Sequence, residues 1–355
     1  MKTYPIFYVL LCVFLISCKS EFYTINDFPK IRKIDAHYHI YSESNNSLEQ
    51  AQKDNFKLVA INTYTGNCER VKKTQTESEK IQNEFPADFG FTTTFCLDGW
   101  DDENWVKNTI SWLDSCIANG AIAVKVWKNI GMEFRDKDSL IIMVDNSKFD
   151  PIFKHMAKKG IPLAGHLGEP KNCWLPTEEM TTNNDRNYFT NNPKYHMYLH
   201  PELPSYKEQI AARNKMLEKH PELVFIGCHL ASLEWSVDEL ALFLDRFPNA
   251  SVDMAARMGQ LYFQAQSNNK KVRDFFIQYQ DRIIYGTDLI DNGKDKTSFQ
   301  NRMHKTWLND WEFLVTNNIM TSDLIDGEFR GLQLPKVVID KIFRINAEHW
   351  YNLVP

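Results

Sequence analysis

Short apolar, β-branched or aromatic runs recur along the chain, and stretches with helical spacing lie between them. Eight runs predict strands: Ile31–Ile40, Phe56–Tyr64, Phe89–Leu97, Ala121–Trp127, Ile161–His166, Leu223–His229, Ala250–Met254 and Arg282–Asp288. Helix starts are marked at Ser47…Gln50, Ser205…Glu208 and Ser236…Glu239, where a hydroxyl and the later Glu or Gln satisfy each other's backbone donors. Asp150-Pro151 followed by Gly160 frames another helix, with an N-cap, a proline in the first turn and a glycine stop. Strand and helix in alternation imply parallel pairing with helical crossovers. Eight such units predict a closed (β/α)8 TIM barrel of the α/β class, and fewer would leave an open doubly wound sheet.

Composition narrows the class. The 355 residues are 43% hydrophobic and 25% charged, with 23 Phe, 14 Tyr and 9 Trp, which excludes disorder as the dominant state. A formal charge of -5 without a basic block argues against a nucleic-acid partner. Lys2 precedes the apolar run Tyr4–Ile16, which at about 1.5 Å per residue is too short to cross a bilayer core of about 30 Å. The run ends in Leu15-Ile16-Ser17-Cys18, the form of a bacterial lipoprotein cleavage box. Residues 1–17 are then a signal peptide, Cys18 the lipidated first residue and 18–30 a tether to the body of the protein. This predicts a cell-envelope protein whose partner is the bilayer through its lipid; Lys19 after the cysteine favours the outer membrane. An ordinary signal peptide with an incidental cysteine is the competing reading. Cys68, Cys96, Cys116, Cys173 and Cys228 are widely spaced without a CxxC, so they are expected as buried small apolar residues rather than a disulfide framework or zinc site.

Candidate chemistry collects at the strand ends. Residues two apart in a strand share a face, so His37 and His39 in Asp35-Ala36-His37-Tyr38-His39 project together, as two imidazoles gripping one metal would. Three later apolar strands close on His166, His229 and Asp288. In a parallel barrel all these ends meet at one rim, where active sites sit. Each residue alone reads more simply as a capped or core-satisfied side chain; together they point to one centre. Lys125, near the end of the fourth strand, and Trp127, on the same face, point towards that rim.

The motifs Asp35-Ala36-His37-Tyr38-His39, Gly165-His166, Gly227-Cys228-His229-Leu230 and Tyr285-Gly286-Thr287-Asp288, with Asn346-Ala347-Glu348, resemble the amidohydrolase superfamily. The matching branch is the one that includes aminocarboxymuconate-semialdehyde decarboxylase, and the likeness runs from about Ile31 to Leu353. It implies that His37, His39, His166 and Asp288 hold one divalent metal, zinc being the expected ion, with a position left for water. His229 would be the free general acid/base, and Asp288 would both ligate and accept a proton. Binuclear relatives carboxylate a lysine in the place of Lys125 to bridge two metals; the single-metal arrangement, with Lys125 facing a substrate, is preferred. The branch holds hydrolases and non-oxidative decarboxylases on this shell. The leading expectation is hydrolysis of a small organic amide, ester or lactone; the alternatives are decarboxylation and a non-catalytic binding lipoprotein. The stretch 169–204 is long for a βα loop and reads as a lid or as surface padding. Glu169 and Trp174 in it, Arg257 after the seventh strand and Trp127 are candidate substrate contacts, Arg257 as a carboxylate clamp or a structural salt bridge. His155, His220 and His304 read as surface residues, His196 and His200 as uncommitted, and an oligomer stays open.

Overall fold

A computed structural model describes residues 21–41 and 46–353. The signal peptide, Cys18 and the cleavage box lie outside the described residues. Nine strands form one sheet: β1 (Lys33–Ile40), β2 (Phe56–Ile61), β3 (Phe89–Thr94), β4 (Val124–Val126), β5 (Leu163–Gly165), β6 (Phe225–Gly227), β7 (Ala250–Asp253), β8 (Ile283–Ile284) and β9 (Leu289–Asp291). The order is β8-β7-β6-β5-β4-β3-β2-β1-β9 and every pairing is parallel. β8 and β9 are two pieces of one passage. Ile283 pairs with Val252 of β7, and Leu289 pairs with Tyr38 of β1, so the eighth strand closes the sheet on itself. The backbone bonds Ala36 N–H to Tyr285 O (3.0 Å) and Asp288 N–H to His37 O (2.7 Å) complete the seam. The (β/α)8 TIM barrel predicted from the alternation is what forms.

The barrel interior holds Ile34, Ala36, Val59, Ile61, Ala123, Ile226 and Ile284, and the chain's last turns close its base with Ala347, Trp350, Tyr351 and Leu353. A larger apolar layer packs between strands and helices. Ser205 and Glu208 form the expected reciprocal cap, and Ser236 accepts from Glu239 N–H. Ser47 departs from expectation: it sits inside the helix Asn46–Lys53, where it accepts from Tyr38 and donates to Asp291. The helix at 150 starts at Asp150 itself, Phe149 being the cap residue, and ends at Gly160 in the left-handed region (φ 67°).

Two further expectations change. Cys68 and Cys96 are disulfide-bonded, with Cα atoms 5.6 Å apart, while Cys116, Cys173 and Cys228 are free and buried. The two partners come from the ends of neighbouring βα loops, a proximity that spacing along the chain does not reveal. Residues 21–30, expected as part of a tether, touch the barrel at several points: Phe28 is 2% exposed, and Phe22 bridges to Pro335.

Candidate metal centre and active site

β1 delivers the two histidines through a bulge. Its register with β2 advances by one at Asp35↔Leu58 and Tyr38↔Ala60, three steps on β1 against two on its neighbour. An extra residue reverses the in/out phase of a strand. Before the bulge Ile34 and Ala36 face the interior; after it Tyr38 faces the outer layer, so His37 and His39 turn inward. Buried Asp35 fixes the bulge, accepting from His37 N–H (3.3 Å), Thr287 N–H (3.0 Å), Thr287 Oγ1 (2.6 Å) and Trp307 Nε1 (3.0 Å). Gly286 permits this close approach of strands: a Cβ there would lie 2.7 Å from His37 Cβ.

His37 Nδ1 is bonded to Asp253 Oδ2 at 2.8 Å, both fully enclosed. A carboxylate accepts, so Nδ1 carries the proton and Nε2 presents a lone pair. That Nε2 lies 3.7 Å from Asp288 Oδ1, and His39 Nε2 lies 2.9 Å from the same oxygen. These three donors fall within 4.8 Å of one another, as donors to one ion must. Burial works against the ionised form of Asp288, but His39 and His37 outweigh it and hold the carboxyl below its ordinary range. Two imidazoles and a carboxylate fit a first-row divalent ion.

His229 comes from an unusual turn. Residues 229–232 all have positive φ (59°, 55°, 52° and 57°), a left-handed turn of non-glycine residues that costs roughly 1–2 kcal/mol each. Such strain concentrates at functional sites. Asp253 Oδ1 holds the turn by accepting His229 N–H at 2.8 Å. His229 Nδ1 donates to Ala255 O at 2.8 Å; a carbonyl cannot donate, so Nε2 is the free base. Its ring centre is 4.7 Å from that of His37 and 4.1 Å from that of His166. Burial, with His166 and His37 beside it, pushes the His229 pKa well below the ordinary imidazole value. It is therefore a neutral imidazole at neutral pH.

His166 neighbours His229, their ring centres 4.1 Å apart. It lies beside the same cavity but outside the tight donor group, with Nε2 3.2 Å from Glu169 Oε2. Glu169 is in turn bonded to Lys128, whose Nζ sits 3.3 Å from Tyr188 OH and 4.2 Å from the Tyr195 ring centre. Burial opposes charge on Glu169, yet Lys128 and His166 overcome it and keep it a carboxylate. Glu169 thus couples His166 to the segment 169–204. That segment is built of short turns and the helix Asn183–Asn191, and its Asn184, Asp185, Tyr188 and Phe189 face the cavity.

The cavity holds about 510 Å³ and is lined by the histidines above, Asp288, Lys125, Trp127, Glu169 and Arg257. Lys125 Nζ donates to Cys228 Sγ at 3.0 Å. Arg257 is 6% exposed; Nη1 donates to Ala256 O at 3.0 Å, and Nε has no partner. Trp174, expected at the substrate, instead packs against Tyr206 with ring centres 5.4 Å apart and does not line the cavity. His196 and His200 bind backbone carbonyls of Leu175 and Pro193. His220, expected at the surface, is buried against Asp150 at 3.0 Å, because the helix start at 150 supplies a carboxylate beneath it. His155 and His304 rest on Asp114 and Asp54. Sequence reasoning missed Asp253 and Lys128. Asp253 ends an apolar strand as Asp288 does, and that was its available signal; nothing in the chain marks Lys128.

The sequence profile of the amidohydrolase family matches residues 34–353. The chain belongs to the amidohydrolase family. No curated protein matches it. The solved structure of 2,6-dihydroxybenzoate decarboxylase from Rhizobium is similar in fold, with 13% identity, a TM-score of 0.54, and coverage of 91% of this chain and 99% of that one. So is 5-carboxyvanillate decarboxylase from Novosphingobium aromaticivorans, complexed with manganese and 4-hydroxy-3-methoxy-5-nitrobenzoic acid, with 12% identity, a TM-score of 0.53 and coverage of 92% and 97%. This amidohydrolase is a metal-dependent enzyme with a candidate ligand group at the mouth of a TIM barrel.

Proposed function

We propose that this amidohydrolase hydrolyses an amide, ester or lactone bond of a small carboxylated substrate, with zinc held by His37, His39 and Asp288 and His166 completing the set. When bound, such an ion lowers the pKa of a water to about 7 and polarises a carbonyl. The observation that carries the reading is His229: a neutral imidazole, its Nδ1 committed to Ala255 O and its Nε2 free beside the donor group. It accepts a proton from water at Nε2 and returns it to the leaving group. Asp253 keeps both imidazoles aimed by bonding His37 Nδ1 and the His229 backbone. Arg257, with a buried unpaired Nε, receives a substrate carboxylate, and Trp127, Tyr188 and Phe189 offer faces to a planar group. One metal is preferred, since Lys125 Nζ engages Cys228 rather than the donor group.

Decarboxylation on the same shell is the second reading. It is favoured by fold relatives that act on aromatic acids and by the buried Arg257 Nε that has no partner, with His229 or Asp288 delivering the proton to carbon. Turnover of a panel of carboxylated amides, esters and lactones and of aromatic and unsaturated acids, run in water labelled with heavy oxygen and in deuterated water, separates the two. Label appearing in a product carboxylate supports hydrolysis; released carbon dioxide, with solvent deuterium on the product carbon, overturns it.

The envelope location belongs to this proposal too. Cys18 in its cleavage box supports a lipid anchor, and the Cys68–Cys96 disulfide supports an oxidising compartment. Mass spectrometry of the membrane-extracted protein is expected to find an acylated Cys18; an unmodified N-terminus at that cysteine would refute it.

A further inference from the structure

We infer that the base of the barrel lies against the lipid headgroups and that the catalytic mouth faces away from the anchoring membrane, which rests on the lipidated Cys18 of the proposed function. The argument is one of reach. Only three peptide steps separate Cys18 from Glu21, and a fully extended chain covers about 3.3–3.6 Å per residue, so the Cα of Glu21 sits within ~11 Å of the Cα of the lipid-bearing cysteine.

From Glu21 onward the chain is fixed. Lys336 N–H bonds Glu21 O at 2.9 Å, Tyr23 OH bonds Asp340 Oδ1 at 2.9 Å, and Trp311 Nε1 bonds Thr24 O at 3.0 Å. Phe28 reaches the N-terminal ends of the strands, packing on Phe56 at the start of β2, while Lys33 at the start of β1 donates to Phe28 O. The entry segment therefore belongs to the end of the barrel opposite the cavity. Eight residues of β1 at about 3.3 Å each put roughly 23 Å between Lys33 and the mouth.

The surface around the entry point suits an interface with lipid. Ile25, Val337 and Ile345 are exposed apolar side chains at 38%, 56% and 41%. Lys336 lies over the Tyr23 ring, 4.9 Å from its centre, a long cation able to reach phosphate oxygens, while Arg344 on the same segment is paired with Glu348 at 3.3 Å. A substrate then arrives from the aqueous side and is not drawn from the bilayer.

The test uses the full-length lipidated protein reconstituted in phosphatidylethanolamine–phosphatidylglycerol vesicles that carry a headgroup nitroxide. A fluorescent amino acid replaces either Val337 at the base or Leu199 in the segment over the mouth. Quenching several-fold stronger at Val337 than at Leu199 is expected. Equal or stronger quenching at Leu199, in protein whose Cys18 is shown by mass to be acylated, overturns the orientation alone. Full-length protein from membranes whose Cys18 is shown by mass to carry no acyl chain overturns the anchor, and the orientation with it.

Discussion

The floor of the cavity and the segment above it are built on different terms. On the floor, every reactive side chain is set by backbone or by a buried carboxylate: Asp35 pins the bulge, Asp253 holds His37 and the His229 turn, and the closing strand fixes Asp288. Above it, residues 169–204 meet the site through side chains alone, along the chain Tyr188–Lys128–Glu169–His166. The contrast separates chemistry from specificity. A floor fixed by peptide geometry tolerates little change. The roof reaches the floor through the Lys128–Glu169 pair and is otherwise held from outside it, by Asn183 N–H to Leu324 O and Lys171 N–H to Glu234 Oε1. It can therefore be recut for another substrate without disturbing His37, His39 or Asp288.

The largest expected effect comes from removing the floor's donors: His37→Ala/His39→Ala abolishes metal binding and with it turnover, read by elemental analysis and activity together. His229→Ala keeps the metal and loses about 10²–10⁴-fold in kcat, the range of a lost general acid/base. If that variant loses metal as well, His229 is a ligand and the division of labour on the floor is wrong.

Behind the floor, buried Asp310 accepts from Tyr285 and Tyr262, and burial pushes its pKa up to about 7. At this carboxyl the folded state then binds more protons than the unfolded one between about pH 4 and 7, so the group's contribution to stability falls as pH rises through that window and is constant above it. Asp310→Asn lessens this slope, to which Asp35 (pushed up to about 6) and Glu234 (pushed up to about 7) also contribute, with a gain of up to about 4 kcal/mol above pH 7 as an upper bound. Denaturant melts at several pH values check it; an unchanged slope would refute the assignment. Asp253→Asn is next, costing about 10–100-fold in metal affinity or activity, as supporting partners of metal ligands do.

The roof gives the smallest effects. Lys128→Met should raise KM and leave metal content unchanged, and Trp127→Ala should do the same more weakly. Trp174→Ala should leave KM as in the wild type, because its ring lies on Tyr206. A roof variant that empties the metal site would erase the contrast.

The floor was legible in the sequence and the roof was not, for physical reasons. His37, His39, His166, His229 and Asp288 end apolar runs of strand length, and a parallel barrel brings such ends together whatever their separation along the chain. The bulge was hidden, since an extra residue leaves the spacing of His37 and His39 unchanged. Asp253 was hidden because a single carboxylate after a short strand reads as any cap. Lys128, the Cys68–Cys96 pair and the outward packing of Trp174 depend on which loops meet in space, and local pattern carries no record of that.

The central claim is one divalent site held by His37, His39 and Asp288. Elemental analysis of protein purified in bicarbonate-containing buffer tests it most directly, alongside the His37→Ala/His39→Ala and Lys125→Ala variants. The account predicts about one divalent ion per chain, lost in the histidine double variant and retained in Lys125→Ala. About two ions per chain, falling with Lys125→Ala, would contradict it.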